Sequence, residues 1–211
     1  MTRHTLFSTF ARTLAVTGCL AVSASCGSEM LRTGRSPVFL VLTSLEGAPG
    51  NGGTPSQFLL SDVQVLVDQT VNGVQQKVPT YYNDAGTAVF SVEAKNPTVP
   101  TTGINAVTIT RYRVVFRRSD GRNTPGVDVP YGFDGAATTT ISPGGSGSVS
   151  FDLIRHQAKL EPPLRNLVGL GGVGFISTIA EITFFGHDQN GNEMTVTGSM
   201  SVQFGDFADE E

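Results

Sequence analysis

From residue 193 to 204 apolar and polar side chains alternate. Met194, Val196, Met200, Val202 and Phe204 share one parity, and Glu193, Thr195, Thr197, Ser199, Ser201 and Gln203 share the other. A period of two is that of a strand with one buried face, because successive side chains leave a strand on opposite sides. Upstream, residues 177–188 form a second run rich in Ile, Thr and Phe, and Gln189-Asn190-Gly191 lies between the two. Residues 177–204 therefore read as one long antiparallel hairpin. Its register follows from loop length, since opposed residues share a face. A two-residue Asn190-Gly191 turn sets Phe184 against Thr197, whereas a three-residue loop with Gly191 in the left-handed region sets Phe184 against Val196 and Ile182 against Gly198. Only the longer loop joins the apolar sets, so it is the expected one.

The rest of the chain repeats this pattern in shorter pieces. Residues 37–43 start the folded part as a strand with proline at its first position, and a Gly/Pro-rich loop at 47–55 ends it. Val63, Val65 and Val67 alternate with Asp62, Gln64, Leu66 and Asp68 in the next strand, and Asn72-Gly73 is a turn signal. Residues 87–95 make another strand. Residues 105–118 change phase: Val107 and Ile109 keep one parity, Tyr112, Val114 and Phe116 the other, so a one-residue bulge is expected near Thr110 or Arg111. A long loop or edge segment covers 119–135. Strands at 138–141 and 147–154 flank the turn 142–146, with Val149, Phe151 and Leu153 facing inward. Pro162-Pro163 divides 157–167 into a turn or short crossover.

Many short strands with Pro/Gly connections and no amphipathic helix predict an all-β fold of two packed antiparallel sheets. Composition agrees: 25 Gly, 11 Pro and 13 Phe without Trp, in 211 residues of which 15% are charged. One domain is expected at that length. The formal charge of -4 becomes -6 once a leader carrying Arg3 and Arg12 is removed. An acidic surface is ill suited to displacing counterions from phosphate, so nucleic acid is not an expected partner.

The amino end carries its own signal. Residues 1–12 are polar and cationic, 13–22 are small and apolar, and Ser23-Ala24-Ser25 runs into Cys26. That order is an export signal, too short to span a bilayer. A small-residue stretch ending in Cys resembles the lipobox of bacterial lipoproteins. The resemblance implies cleavage before Cys26, lipidation of Cys26 and anchoring to a membrane. Ser23 stands where that family usually has an aliphatic residue. Val16-Thr17-Gly18-Cys19 matches better but leaves too short an apolar region after Arg12. Ordinary cleavage near Ser23 or Ser25, giving a secreted product, is the alternative. Both cysteines lie here, so the domain is expected to fold without a disulfide. The resulting division is a signal peptide at 1–25, a polar tether at 26–36, a sandwich at 37–207 and an acidic tail at 208–211. Asp206 is read with Asp209, Glu210 and Glu211 as part of a frayed acidic end.

Candidate chemistry is sparse. Arg111, Arg113 and Arg117 line one strand face, with Arg118 following, and could hold a carboxylate, an acidic glycan or an acidic segment of a partner through forked hydrogen bonds. The solvated side of a strand explains the same residues. Asp120, Asn123, Asp128 and Asp134 supply oxygens but no calcium-loop spacing, so no metal is expected. Residues 169–174 match G-x-G-x-x-G, yet a β-patterned run follows where a nucleotide fingerprint needs a helix; no nucleotide or other cofactor is expected. His156 and His187 are the only candidate bases beyond the leader, without a serine elbow or a metal-binding period, and no catalytic residue is assigned.

The terminal Asp-Gln-Asn-Gly-Asn-Glu turn with the alternating strand after it resembles the last two strands of bacterial immunoglobulin-like domains. That resemblance implies a sandwich architecture alone, since the Cys and Trp markers of antibody domains are absent. Together these features predict an exported, lipid-anchored envelope protein with a non-catalytic binding or structural sandwich, whose partner is an envelope protein or a glycan. The alternatives are an exported hydrolase with a loop-built site and a subunit of a surface assembly.

Overall fold

The computed structural model describes residues 35–207. Ten strands carry almost all of its regular structure: β1 (Val38–Ala48), β2 (Phe58–Asp62), β3 (Val65–Val71), β4 (Val74–Thr80), β5 (Asp84–Ala94), β6 (Val107–Arg117), β7 (Phe133–Ile141), β8 (Ser146–Ile154), β9 (Phe175–Asp188) and β10 (Glu193–Gly205). One helical turn, α1 (His156–Lys159), and 3₁₀ turns at Gly103–Asn105 and Leu164–Leu167 complete it. Cys19, Cys26 and most of the tether lie outside the described residues. Among those residues no helix is long and apolar enough to cross a membrane.

Two sheets face each other, one in the order β1-β5-β8 and one in the order β2-β10-β9-β6-β7. All neighbours are antiparallel except β2, which runs parallel to β10. A parallel neighbour needs a long connection, and here nearly the whole domain intervenes between the two strands. The 142–145 turn between β7 and β8 carries the chain from one sheet to the other, closed by Gly145 N–H donating to Ser142 O at 2.9 Å.

The core lies between the sheets and is aromatic at its centre. Phe184 of β9 meets Phe90 of β5 at 4.9 Å and Phe151 of β8 at 5.3 Å, both edge to face, the geometry that ring quadrupoles favour. Tyr112 of β6 sits 4.9 Å from Phe151. Phe116 and Phe204 pair at 5.7 Å further along.

The terminal hairpin forms in the expected register, Phe184 opposite Val196 and Ile182 opposite Gly198. Gly191 has φ of 78°, and Asp188 and Asn192 close a three-residue loop, Asp188 N–H donating to Asn192 O at 3.1 Å. The Asp188 carboxylate is enclosed and accepts from Asn190 N–H, Asn192 N–H and Asn192 Nδ2 at 2.7–3.0 Å. The phase change in β6 is a bulge at Thr110, where the register with both β7 and β9 shifts between Ile109 and Arg111.

Val63, Val65 and Val67 do not belong to one strand. Val63 is buried and its N–H donates to Gly205 O at 2.9 Å, ending the β2 pairing. Beyond Gln64 the chain leaves both sheets and makes a separate hairpin, β3 with β4, through a two-residue Asn72-Gly73 turn with φ of 53° and 80°. Both left-handed angles fit the hairpin turn whose twist matches its strands. Asp206 also departs from expectation. It is buried, and its Oδ2 accepts from Gly169 N–H at 2.5 Å, tying the glycine loop of 169–174 to the end of β10.

Candidate interaction face

The bulge at Thr110 decides which way the arginines point. After it, Tyr112, Val114 and Phe116 enter the core, so Arg111, Arg113, Val115 and Arg117 must stand on the outer face of the five-stranded sheet. Arg113 makes a forked pair with Asp134 of β7, Nε to Oδ1 at 2.6 Å and Nη2 to Oδ2 at 2.9 Å. Those hydrogen bonds hold the Asp134 carboxyl below the usual carboxylate range. Arg117 Nε donates to Glu181 Oε2 of β9 at 2.7 Å. Arg111 stacks over the Phe185 ring at 3.5 Å and has no ion pair among those found in the described residues. Arg118 turns aside to Asp120, which also takes Arg122, and lies 2.6 Å from it. Three of the four arginines singled out from the sequence therefore share one face, and the fourth serves the following loop.

The same face changes character toward β2. Rows across β2, β10 and β9 read Phe58, Ser201, Ile179; then Leu60, Gln203, Ser177; then Asp62, Gly205, Phe175. Phe207 lies over Gly205, where a Cβ would meet its ring at 2.3 Å. Phe58, Leu60, Phe175, Ile179 and Phe207 are 37–54% exposed, an apolar surface whose first row continues into Arg117. β2 is also an edge strand of its sheet.

Other candidates resolve into local structure. Asn123 Oδ1 accepts Arg118 N–H at 2.6 Å and Asp128 Oδ2 accepts Thr124 N–H at 3.1 Å, so these residues and Asp120 shape the 118–132 loop. No group of three His, Cys, Asp or Glu among the described residues could hold a metal ion. His156 Nδ1 lies 2.8 Å from Asn83 Oδ1, and His187 Nδ1 lies 3.0 Å from the Asp188 carbonyl. Among the described residues, the hydrogen bonds of these two histidines go to Asn83 and Asp188 and not to a serine. Residues 169–174 form an inter-strand loop leading into β9, without a helix to receive a pyrophosphate. A cavity of about 160 Å³ beside Tyr131 and Phe133 has three of its polar side chains engaged: Gln157 with Glu161 at 3.2 Å, and Arg155 with the Asp134 carbonyl at 2.6 Å. A shallow cleft of about 430 Å³ between β1 and β10 lies beside a bulge in β1, where Thr43 Oγ1 donates to Val89 O at 3.0 Å.

Sequence reasoning missed a buried charged cluster. Lys159 of α1 and Asp84 of β5 are each 1% exposed, with Nζ 2.9 Å from Oδ2 and 3.0 Å from Oδ1. Ser61 Oγ donates to Asp84 Oδ2 at 2.5 Å and Gly50 N–H to Oδ1 at 2.9 Å, so both carboxylate oxygens are satisfied. The cluster fastens α1, β2, β5 and the 49–57 loop together. Nothing in the local pattern marks these residues, because an isolated Lys or Asp ordinarily reads as exposed. No protein-family model matches the chain, and no curated protein matches it.

Proposed function

We propose that this is an exported protein, anchored in a cell envelope by lipid on Cys26, whose sandwich binds an acidic partner without chemical turnover. The contact surface in this reading is the arginine row of the five-stranded sheet. Support comes from the direction of the molecule. Ser36 lies against Asp188 at the hairpin-tip end, so a tether would join the membrane there. The row from Arg111 to Arg117 runs along β6 away from that end and outward from it, over roughly 20 Å.

The chemistry suits a carboxylate-bearing partner. Arg111 presents a stacked guanidinium beside the Arg113–Asp134 pair. Exposed pairs contribute little to folding, so exchanging an internal carboxylate for a partner's costs little. An acidic protein segment and an acidic glycan offer the same group. Crosslinking in cells from a photoreactive residue at Thr183, which stands next to Arg113 on this face, tests the reading. A defined adduct that is lost in Arg111→Glu/Arg113→Glu is expected. No adduct, or one indifferent to both charge reversals, contradicts it.

A further inference from the structure

Arg113 is not the last cation on its side of the sheet. Asp134, the carboxylate it holds, lies on the edge strand β7, and the Asp134 carbonyl accepts from Arg155 Nη2 at 2.6 Å. The Arg155 guanidinium is also stacked over the Phe133 ring at 3.8 Å. Three cations therefore surround one carboxylate. Hydrogen bonds from Arg113 hold the Asp134 carboxyl low, and the charges of Arg113, Arg111 and Arg155 add to them. Neither Arg111 nor Arg155 enters an ion pair among those found in the described residues. Arg155 is fixed by its ring and its carbonyl, and the rest of its N–H fork is left to a ligand.

Two hollows meet at Gly132 and Phe133, which line both. One, of about 380 Å³, lies beside Arg113, Val115 and Asp134; the other is the cavity of about 160 Å³ between Tyr131, Arg155 and Glu161. Together they reach the size of small-ligand sites, roughly 300–1,000 Å³. Their walls differ. The first is cationic, whereas the second offers the Glu161 carboxylate and a fixed aromatic ring. Tyr131 is 58% exposed, yet the end of its ring lies against Gly126, where a Cβ would meet it at 2.4 Å. We propose that this groove binds a glycan in which a carboxylated sugar stands beside a neutral one. The carboxylated unit meets Arg111, Arg113 and Arg155; the neutral unit lies on Tyr131 and donates a hydroxyl hydrogen bond to Glu161. This rests on the acidic-partner reading and chooses between its two sources. An acidic peptide fits less well on two counts. A run of carboxylates would set like charge against Glu161, which a sugar hydroxyl does not. An extended peptide also gains affinity from main-chain hydrogen bonds to a free edge, and at Asp134 the carbonyl is already taken by Arg155.

Titration calorimetry on the full chain tests this with a tetrasaccharide alternating glucuronate and N-acetylglucosamine, the neutral tetrasaccharide of N-acetylglucosamine, and hexaglutamate. The alternating chain is expected to bind with a dissociation constant below ~1 mM, at least ~10-fold tighter than the other two. Tyr131→Phe keeps the ring and is expected to stay within ~2-fold of wild type. Tyr131→Ala is expected to lose ~5-fold or more, and Arg155→Ala ~10-fold or more. No binding of the alternating chain at ~10 mM overturns the proposal, as does binding indifferent to Tyr131→Ala. Hexaglutamate that binds as tightly, and is lost in Arg111→Glu/Arg113→Glu, overturns it while leaving the acidic-partner reading in place. So does a Thr183 crosslink that needs Arg111 and Arg113 but is unchanged in Tyr131→Ala and Arg155→Ala.

Discussion

Lys159→Met removes the cation from the buried cluster at the base of α1 and leaves the Asp84 carboxylate enclosed with only Ser61 and Gly50 as donors. Breaking a buried pair from one side typically costs about 3–5 kcal/mol, far more than an exposed pair. With a urea dependence of about 2 kcal/mol per molar, the unfolding midpoint falls by roughly 2 M. The double variant Asp84→Asn/Lys159→Met behaves differently. Asparagine carries no charge and still offers one oxygen to Ser61 or Gly50, leaving one donor unsatisfied at about 1–3 kcal/mol. Its midpoint therefore falls by roughly 1 M, less than in Lys159→Met and well short of the sum of the two single changes. Equilibrium unfolding followed by far-ultraviolet circular dichroism measures all three, since the chain has no Trp. A single-variant shift under roughly 0.5 M, or a double variant equal to the sum, would refute the view that this pair is desolvated and coupled.

Three further outcomes follow from the same geometry. Phe184→Ala empties the centre of the aromatic cluster and lowers the thermal midpoint by roughly 10 °C, whereas Phe185→Ala, one residue along on the outer face, lowers it by a few degrees at most. Burial alone would raise the Asp188 carboxyl, but hydrogen bonds from the Asn192 side chain and backbone, Ser36 and Asn190 outweigh it and hold it below its ordinary value. Because the folded value is the lower one, that stabilisation is present above about pH 4 and lost as pH falls below it; wild type should lose more stability than Asp188→Asn between pH 6 and pH 3. Arg113→Ala removes a pair that is open to water and leaves the urea midpoint within error of wild type, while weakening crosslinking at Thr183.

The strands that were legible are those whose alternation has a single cause. In β10 every second residue faces the core, so parity fixed both faces and, through the apolar match with β9, the loop length. The bulge in β6 was legible for the same reason, since Ile109 and Tyr112 both enter the core and only an extra residue reconciles them. At Val63 alternation continued although its cause changed. Val63 faces the core, but Val65 and Val67 face along an arm outside both sheets, and a period of two carries no record of which surface it serves. Lys159, Asp84 and Asp206 were illegible because their burial depends on partners far away in sequence, from Gly50 to Gly169. The arginine row was found by charge, but the apolar patch beside it was not. Phe58, Leu60 and Phe175 come together only through the parallel β2–β10 pair, which no local pattern announces.

The central claim is that a disulfide-free sandwich is carried to a cell envelope and held there by its amino end. Intact mass of the native protein from membranes, beside Cys26→Ser, tests it most directly. The account predicts a chain beginning at Cys26 with added lipid mass, and loss of both that mass and membrane association in the variant. A native chain that begins at Met1 without lipid contradicts it.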